Sequence, residues 1–157
     1  MKTHTLNIRT VLLWAVAFVI LGASILTSSC ATPSEPVKEA ATLPLLNTQW
    51  RLTQLGAEVI DNPAGEGAVY FLLQPSSTNL VGFSGCNRMF GRYALDGAKL
   101  KFDGLGGTRM FCEARMPLEQ RFLAMFSDVE RWEITGPALR LLDANGKSVA
   151  TFEATAP

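Results

Sequence analysis

The sequence predicts an α+β domain, an antiparallel sheet or incomplete β-barrel packed by one main helix. Three observations carry this. Short segments that alternate apolar and polar side chains recur between residues 49 and 152. Glycine-containing turn dipeptides lie between several of them. One stretch alone, residues 117–129, repeats its large apolar side chains at helical spacing.

Taken in order, Gln49–Leu55 reads as the first strand. Residues 68–74 are aromatic and aliphatic on both faces, as expected of a strand buried on two sides. Asn79–Phe83 and residues 89–95 follow. Residues 99–102 alternate lysine with leucine and phenylalanine, the pattern of a half-buried strand. Asp96-Gly97 and Asn145-Gly146 suit tight hairpins. In the helix, Leu118, Phe122, Met125, Phe126 and Val129 form a single apolar stripe that packs on the sheet. Pro117 fits the first turn, and Glu119 complements the positive end of the helix. Arg131–Thr135, Ala138–Leu142 and residues 148–152 give three closing strands.

The start of the chain is of another kind. Residues 11–26 are almost wholly apolar, with Lys2 and Arg9 before them and Thr27-Ser28-Ser29-Cys30 after. That order is expected of a bacterial secretion signal, residues 1–29, ending before a lipid-carrying Cys30. The segment resembles a lipobox, although Thr27 stands where leucine is usual. The alternative is an uncleaved anchor helix with Cys30 as an ordinary thiol. In bacteria that sort lipoproteins by an aspartate after the cysteine, Ala31 points to the outer membrane, with the domain facing the periplasm. Residues 30–44 are rich in proline and small side chains and read as a flexible tether. The domain is expected over residues 45–157, long enough for a hydrophobic core.

Composition excludes several function classes. Of 14 basic and 14 acidic side chains, Lys2 and Arg9 leave with the signal, so 12 basic face 14 acidic in the remainder. With no basic block, nucleic acid is not an expected partner. The one histidine, His4, lies in the signal. The mature chain therefore lacks Ser-His-Asp and Cys-His catalysis and most zinc sites. No metal or cofactor is expected beyond the covalent lipid on Cys30.

Two segments are unusual. Residues 82–93 hold Gly82, Gly85, Cys86, Asn87, Arg88, Gly91 and Tyr93; residues 108–112 hold Thr108, Arg109, Met110 and Cys112. Three roles are open to Cys86 and Cys112: a structural disulfide, favoured in an oxidising compartment; two buried thiols acting as small apolar side chains; or redox or metal chemistry, without the Cys-x-x-Cys of dithiol active sites. Asn87, after a Gly-Cys turn, is expected to tolerate left-handed backbone and to bond the turn through its amide. Arg88 and Arg109 are expected in ordinary pairing, Arg109 with Glu113 or Glu119.

These two segments resemble the signatures of the META, or HslJ-type, domain family: Gly85-Cys86-Asn87-Arg88 with Gly91-x-Tyr93, then Thr108-Arg109-Met110-x-Cys112. Trp50-Arg51-Leu52 is similar to its opening strand, Glu119 with Phe122-Leu123 to the start of its helix, and Trp132 and Leu139-Arg140-Leu141 to its closing strands. The resemblance spans about residues 48–153. It implies a small mixed fold, similar to that of some secretin pilotin lipoproteins, and a link to the cell envelope and stress response. It implies no catalytic mechanism.

The leading expectation is therefore a non-enzymatic envelope lipoprotein acting in stress tolerance through contacts with an envelope protein partner. A second reading is a carrier of an apolar ligand such as an acyl chain, lined by Tyr70, Phe71, Phe83 and Phe102. A third is a thiol redox enzyme using Cys86 and Cys112.

Overall fold

A computed structural model describes residues 43–155. The signal, Cys30 and most of the tether lie outside the described residues. Among the described residues, nine strands and one α-helix follow in the order β1 (Gln49–Leu55), β2 (Glu58–Val59), β3 (Tyr70–Leu73), β4 (Asn79–Phe83), β5 (Arg88–Asp96), β6 (Lys99–Gly107), α1 (Met116–Met125), β7 (Arg131–Thr135), β8 (Ala138–Leu142) and β9 (Ser148–Thr155). The fold is mostly antiparallel sheet with one helix, as the sequence predicts.

The sheet is ring-like. Every strand from β3 to β9 pairs antiparallel with its sequence neighbour, and β1 pairs with both β3 and β9. The ring is thin at one place, where β6 meets β7 through the single register pair Lys99↔Arg131. Beyond Leu100, β6 leaves β7, and the helical segment lies against it instead, with Phe102 packed on Phe126 at 4.8 Å between ring centroids. The helix is thus the piece that lets the sheet stay open on one side without wetting the core.

Alternation along the strands explains what fills the ring. Trp50, Leu52, Phe71, Leu73, Leu80, Leu100, Leu139, Leu141 and Phe152 all point inward and are fully buried. Phe71 sits at the centre, edge-on to Phe152 at 4.9 Å, Phe126 at 5.8 Å and Phe102 at 6.2 Å. Edge-to-face packing of this kind adds about 0.5–1.5 kcal/mol per pair beyond the area buried. The Trp50 indole N–H donates to Leu45 O at 2.9 Å, and this fixes the chain entering the domain. Leu43 and Leu46 pack against the core as well, so the folded region begins slightly before the expected residue 45.

Several elements differ from expectation, each for a local reason. The apolar stripe Leu118–Val129 does not stay in one helix. The α-helix ends at Met125, Phe126–Asp128 form a 3-10 turn, and Val129 is extended at φ −72°, ψ 127°. The tighter turn keeps Phe126 and Val129 buried while redirecting the chain into β7. The hairpin expected on Asp96-Gly97 is centred one residue later: Asp96 pairs with Lys99, and Gly97-Ala98 make the turn. Asn145-Gly146 lies in a longer loop, closed by Asp143, whose carboxylate accepts from Asn145 N–H at 2.9 Å and Lys147 N–H at 2.8 Å. The strand expected over residues 68–74 is shortened at its start because Asn62 takes over the pairing. Asn62 is buried, donates to Leu52 O and Val69 O at 2.9 Å, and accepts from Val69 N–H at 2.8 Å.

Candidate functional site

The two unusual segments meet. The turn between β4 and β5 carries Ser84, Gly85, Cys86 and Asn87, and the loop after β6 carries Thr108 to Cys112. A disulfide joins Cys86 to Cys112 across 26 residues of sequence, with Cα atoms 5.9 Å apart. The first of the three roles open to the cysteines is therefore the one the structure contains. Closing a loop of this length contributes about 3.5 kcal/mol in the chain-entropy model.

Asn87 is the hub. Its side-chain Oδ1 accepts from Thr108 Oγ1 at 2.8 Å and from Met110 N–H at 2.7 Å. Its Nδ2 donates to Met110 O at 3.1 Å and to Glu119 Oε1 at 2.9 Å. Both backbone polar groups of Met110 are thus held by one buried amide. This corrects the expected role. The left-handed residue of the turn is Gly85, at φ +103°, and Asn87 is not among the residues with positive φ. The Asn87 amide bonds the opposite loop rather than its own turn; the turn is closed by backbone, Ser84 N–H donating to Asn87 O at 2.8 Å.

Glu119 completes the cluster from the first turn of α1. It is buried, and its Oε2 accepts from Ser84 Oγ at 2.5 Å and from Asn87 N–H at 3.1 Å. A carboxylate in the core is tolerated because these donors, with Asn87 Nδ2, replace water. The expected pairing of Arg109 with Glu113 or Glu119 does not occur. Glu119 is committed to Ser84 and Asn87, and Arg109 is exposed in the loop. Arg88 is exposed too, while its backbone N–H and O meet Thr108 Oγ1 at 3.2 Å and Thr108 N–H at 3.0 Å. That close strand approach leaves no room for a side chain on Gly107, whose Cβ would fall 2.7 Å from Arg88 O.

A small cavity of about 160 Å³ adjoins the cluster, bounded by Ser84, Asn87, Leu105, Glu119 and Leu123. It lies below the 300–1,000 Å³ range of ordinary ligand pockets. The four side chains expected to line an acyl cavity do not face one another. Phe71 and Phe102 belong to the interior aromatic cluster, whereas Tyr70 and Phe83 line an open outer groove of about 810 Å³ with Val81, Arg88 and Phe90. Strand alternation sends neighbours Tyr70 and Phe71 to opposite faces.

The outer end of the site is apolar and exposed. Met110 is 65% and Phe111 80% solvent-accessible, although the backbone between them is anchored by Asn87 and the disulfide. The sequence signal for the site was the glycine-cysteine clustering. Ser84, a lone serine in a strand-turn-strand region, carries no pattern, and Glu119 offers the sequence a helix-end charge, a candidate partner for Arg109 and a match to the family's helix, but not its bonds to Ser84 and Asn87.

The META domain family model matches residues 43–156. An NMR structure of a protein from Burkholderia xenovorans is similar in fold, with 28% identity and a TM-score of 0.58, over 80% of this chain and 100% of that one. A second protein solved by NMR shares the fold at 22% identity and a TM-score of 0.54, over 69% of this chain and 90% of the other. No curated protein matches the sequence. With the match running from the first described residue through both cysteine segments, the helix and the closing strands, the chain belongs to the META domain family.

Proposed function

We propose that this chain is a non-enzymatic envelope lipoprotein, anchored through Cys30 and facing the periplasm, which acts in envelope stress tolerance by contact with other envelope components. One observation carries the non-enzymatic, contact-making part: the polar cluster spends its hydrogen bonds internally. The Asn87 side chain holds the loop through Thr108 and Met110, and Glu119 takes one donor from Ser84 and two from Asn87, tying α1 to the same turn. A catalytic cluster keeps polar groups free for a substrate. This one is built to fix the position of a loop whose Met110 and Phe111 side chains face outward. The lipid anchor and the outer-membrane address rest on the amino-terminal sequence, residues 9–31.

The test is genetic and biochemical together. A deletion strain is expected to lose tolerance to detergent or envelope-directed antibiotics, with rescue by the wild-type chain. A Met110→Ser/Phe111→Ser chain, folded and oxidised, is expected not to rescue. Normal tolerance in the deletion strain, or full rescue by the double variant, counts against the reading.

A further inference from the structure

We infer that the Arg109–Phe111 loop is a membrane-contact element that docks the domain on an anionic phospholipid surface; this deepens the membrane-anchored reading above and rests on it. Met110 and Phe111 stand exposed on a loop that is not free to fold them away. Asn87 holds both backbone groups of Met110, and Cys112 is tied to Cys86. Exposed side chains on a floppy loop need no explanation, but a phenylalanine 80% exposed on a braced loop is held there against its own hydrophobicity.

The charge around the loop selects the occupant. Arg88, Arg109 and Arg115 are exposed, and none takes part in the ion pairs among the described residues, which join Arg51 to Glu153, Lys101 to Glu130, Arg121 to Glu58 and Arg140 to Glu133. Between Thr108 and Arg115 the one carboxylate is Glu113. An exposed aromatic tip whose own segment carries exposed Arg109 and Arg115 matches a headgroup layer with acyl chains beneath. Two neighbouring apolar side chains offer far less than the about 800 Å² per partner of a stable protein interface, whereas a bilayer asks for no shape complementarity.

Chain length permits the contact. The described chain enters beside Leu73, where Asn47 N–H donates to Leu73 O at 2.9 Å. The loop lies toward the other end of the β3–β4–β5 ladder, where Phe83 pairs with Arg88. β4, of five residues, spans about 17 Å. The 13 residue steps from Cys30 to Leu43 reach at most about 45 Å. A lipid on Cys30 therefore leaves enough chain for the loop end to face the bilayer.

The experiment uses the full chain purified from membranes and reconstituted in phosphatidylethanolamine vesicles with about one-third phosphatidylglycerol, and separately in phosphatidylcholine. Tryptophan is placed at the tip as Phe111→Trp, and quenching by bromine-labelled acyl chains is read against the wild-type chain. Expected is a blue-shifted, quenched signal from position 111 in the anionic vesicles. It is expected to weaken about fivefold in apparent occupancy for each of Arg109→Gln and Arg115→Gln. Flotation of the wild-type chain reports the anchor separately. Flotation without quenching at position 111 overturns the loop proposal and leaves the anchor standing. Quenching in a chain whose mass shows no lipid on Cys30 supports the loop and removes the lipoprotein reading. No quenching, with position 111 cross-linking to an envelope protein in cells, assigns the loop to a protein and overturns the proposal.

Discussion

Glu119 is the side chain on which the site depends most, and replacing it gives the sharpest test of the geometry. It receives three hydrogen bonds, from Ser84 Oγ, Asn87 N–H and Asn87 Nδ2. In Glu119→Ala the Ser84 hydroxyl turns to Asn87 O, already 2.9 Å away. Asn87 N–H and one of the two Nδ2 hydrogens stay buried with nothing to bond, while the other Nδ2 hydrogen keeps Met110 O. An unsatisfied buried donor costs about 1–3 kcal/mol, and each lost methylene about 0.8 kcal/mol. The sum is about 4 kcal/mol, a large share of the about 5–15 kcal/mol that holds a domain folded. Glu119→Gln keeps one acceptor oxygen but turns an amide N–H₂ toward Asn87 Nδ2, so about 2 kcal/mol is lost. Flipping the Asn87 amide to relieve this conflict would break its bonds to Thr108 and Met110.

The assay is urea unfolding of the oxidised chain lacking the signal, followed by fluorescence of the buried Trp50, with slopes compared so that changes in midpoint report stability. A double-mutant cycle with Asn87→Ala is expected to give a coupling of about 2 kcal/mol between the two residues. A loss below about 1 kcal/mol for Glu119→Ala, or strict additivity in the cycle, refutes the reasoning.

Three further outcomes are expected. Cys86→Ser/Cys112→Ser lowers the unfolding free energy by about 3.5 kcal/mol, read by denaturant titration, and a loss under about 1 kcal/mol would mean that the loop is already ordered without the bond. Gly107→Ala drives a Cβ to 2.7 Å from Arg88 O, a backbone atom that cannot rotate away, and destabilises by about 1–3 kcal/mol; amide exchange is expected to rise first at Thr108, whose N–H bonds Arg88 O. Asn62→Ala leaves Val69 N–H and Leu52 O without the partners that bridge β1 to β3, at about 2–3 kcal/mol by thermal unfolding, while Asn62→Ser is expected to recover part of it.

What the sequence made legible follows from which forces act locally. β1, β4, β7 and β8 fall on their expected residues: β4 and β7 alternate throughout, and β1 and β8 alternate up to one register shift each, so burial and local pattern largely agree. β2 was not foreseen: two residues, Glu58 and Val59, carry no period, and they become a strand through pairing with Gln54 and Leu55. β6 runs past the expected residues 99–102 to Gly107, through Gly104, Gly106 and Gly107, because its β5 partner supplies the order that the side chains lack. The end of α1 was misplaced for the opposite reason. The apolar period does continue to Val129, but the tighter turn seats Phe126 against Phe71, Phe102 and Phe122, contacts that come from distant strands and from the helix itself.

The site shows the same division between what is local and what is not. Gly85, Cys86, Asn87, Thr108 and Cys112 stand out in the sequence because glycine and cysteine mark backbone demands. Their joint purpose is invisible there, since Asn87 acts 23 residues away on Met110 and 32 residues away on Glu119. Once those distances close, the two segments are halves of one brace. The disulfide and the Asn87 amide are then alternative ways of holding the same strand of loop, one covalent and one polar. That duplication argues about function. A core needs no second fastening at its surface, and the folded interior already has its aromatic cluster around Phe71. Two fastenings on one exposed loop make sense where the orientation of Met110 and Phe111 has to survive contact with something outside the domain. The clean separation is between variants that loosen the brace and variants that blunt the tip. Asn87→Ala is expected to lower both stability and envelope tolerance, whereas Phe111→Ser is expected to leave the urea midpoint within about 0.5 kcal/mol and to remove tolerance alone.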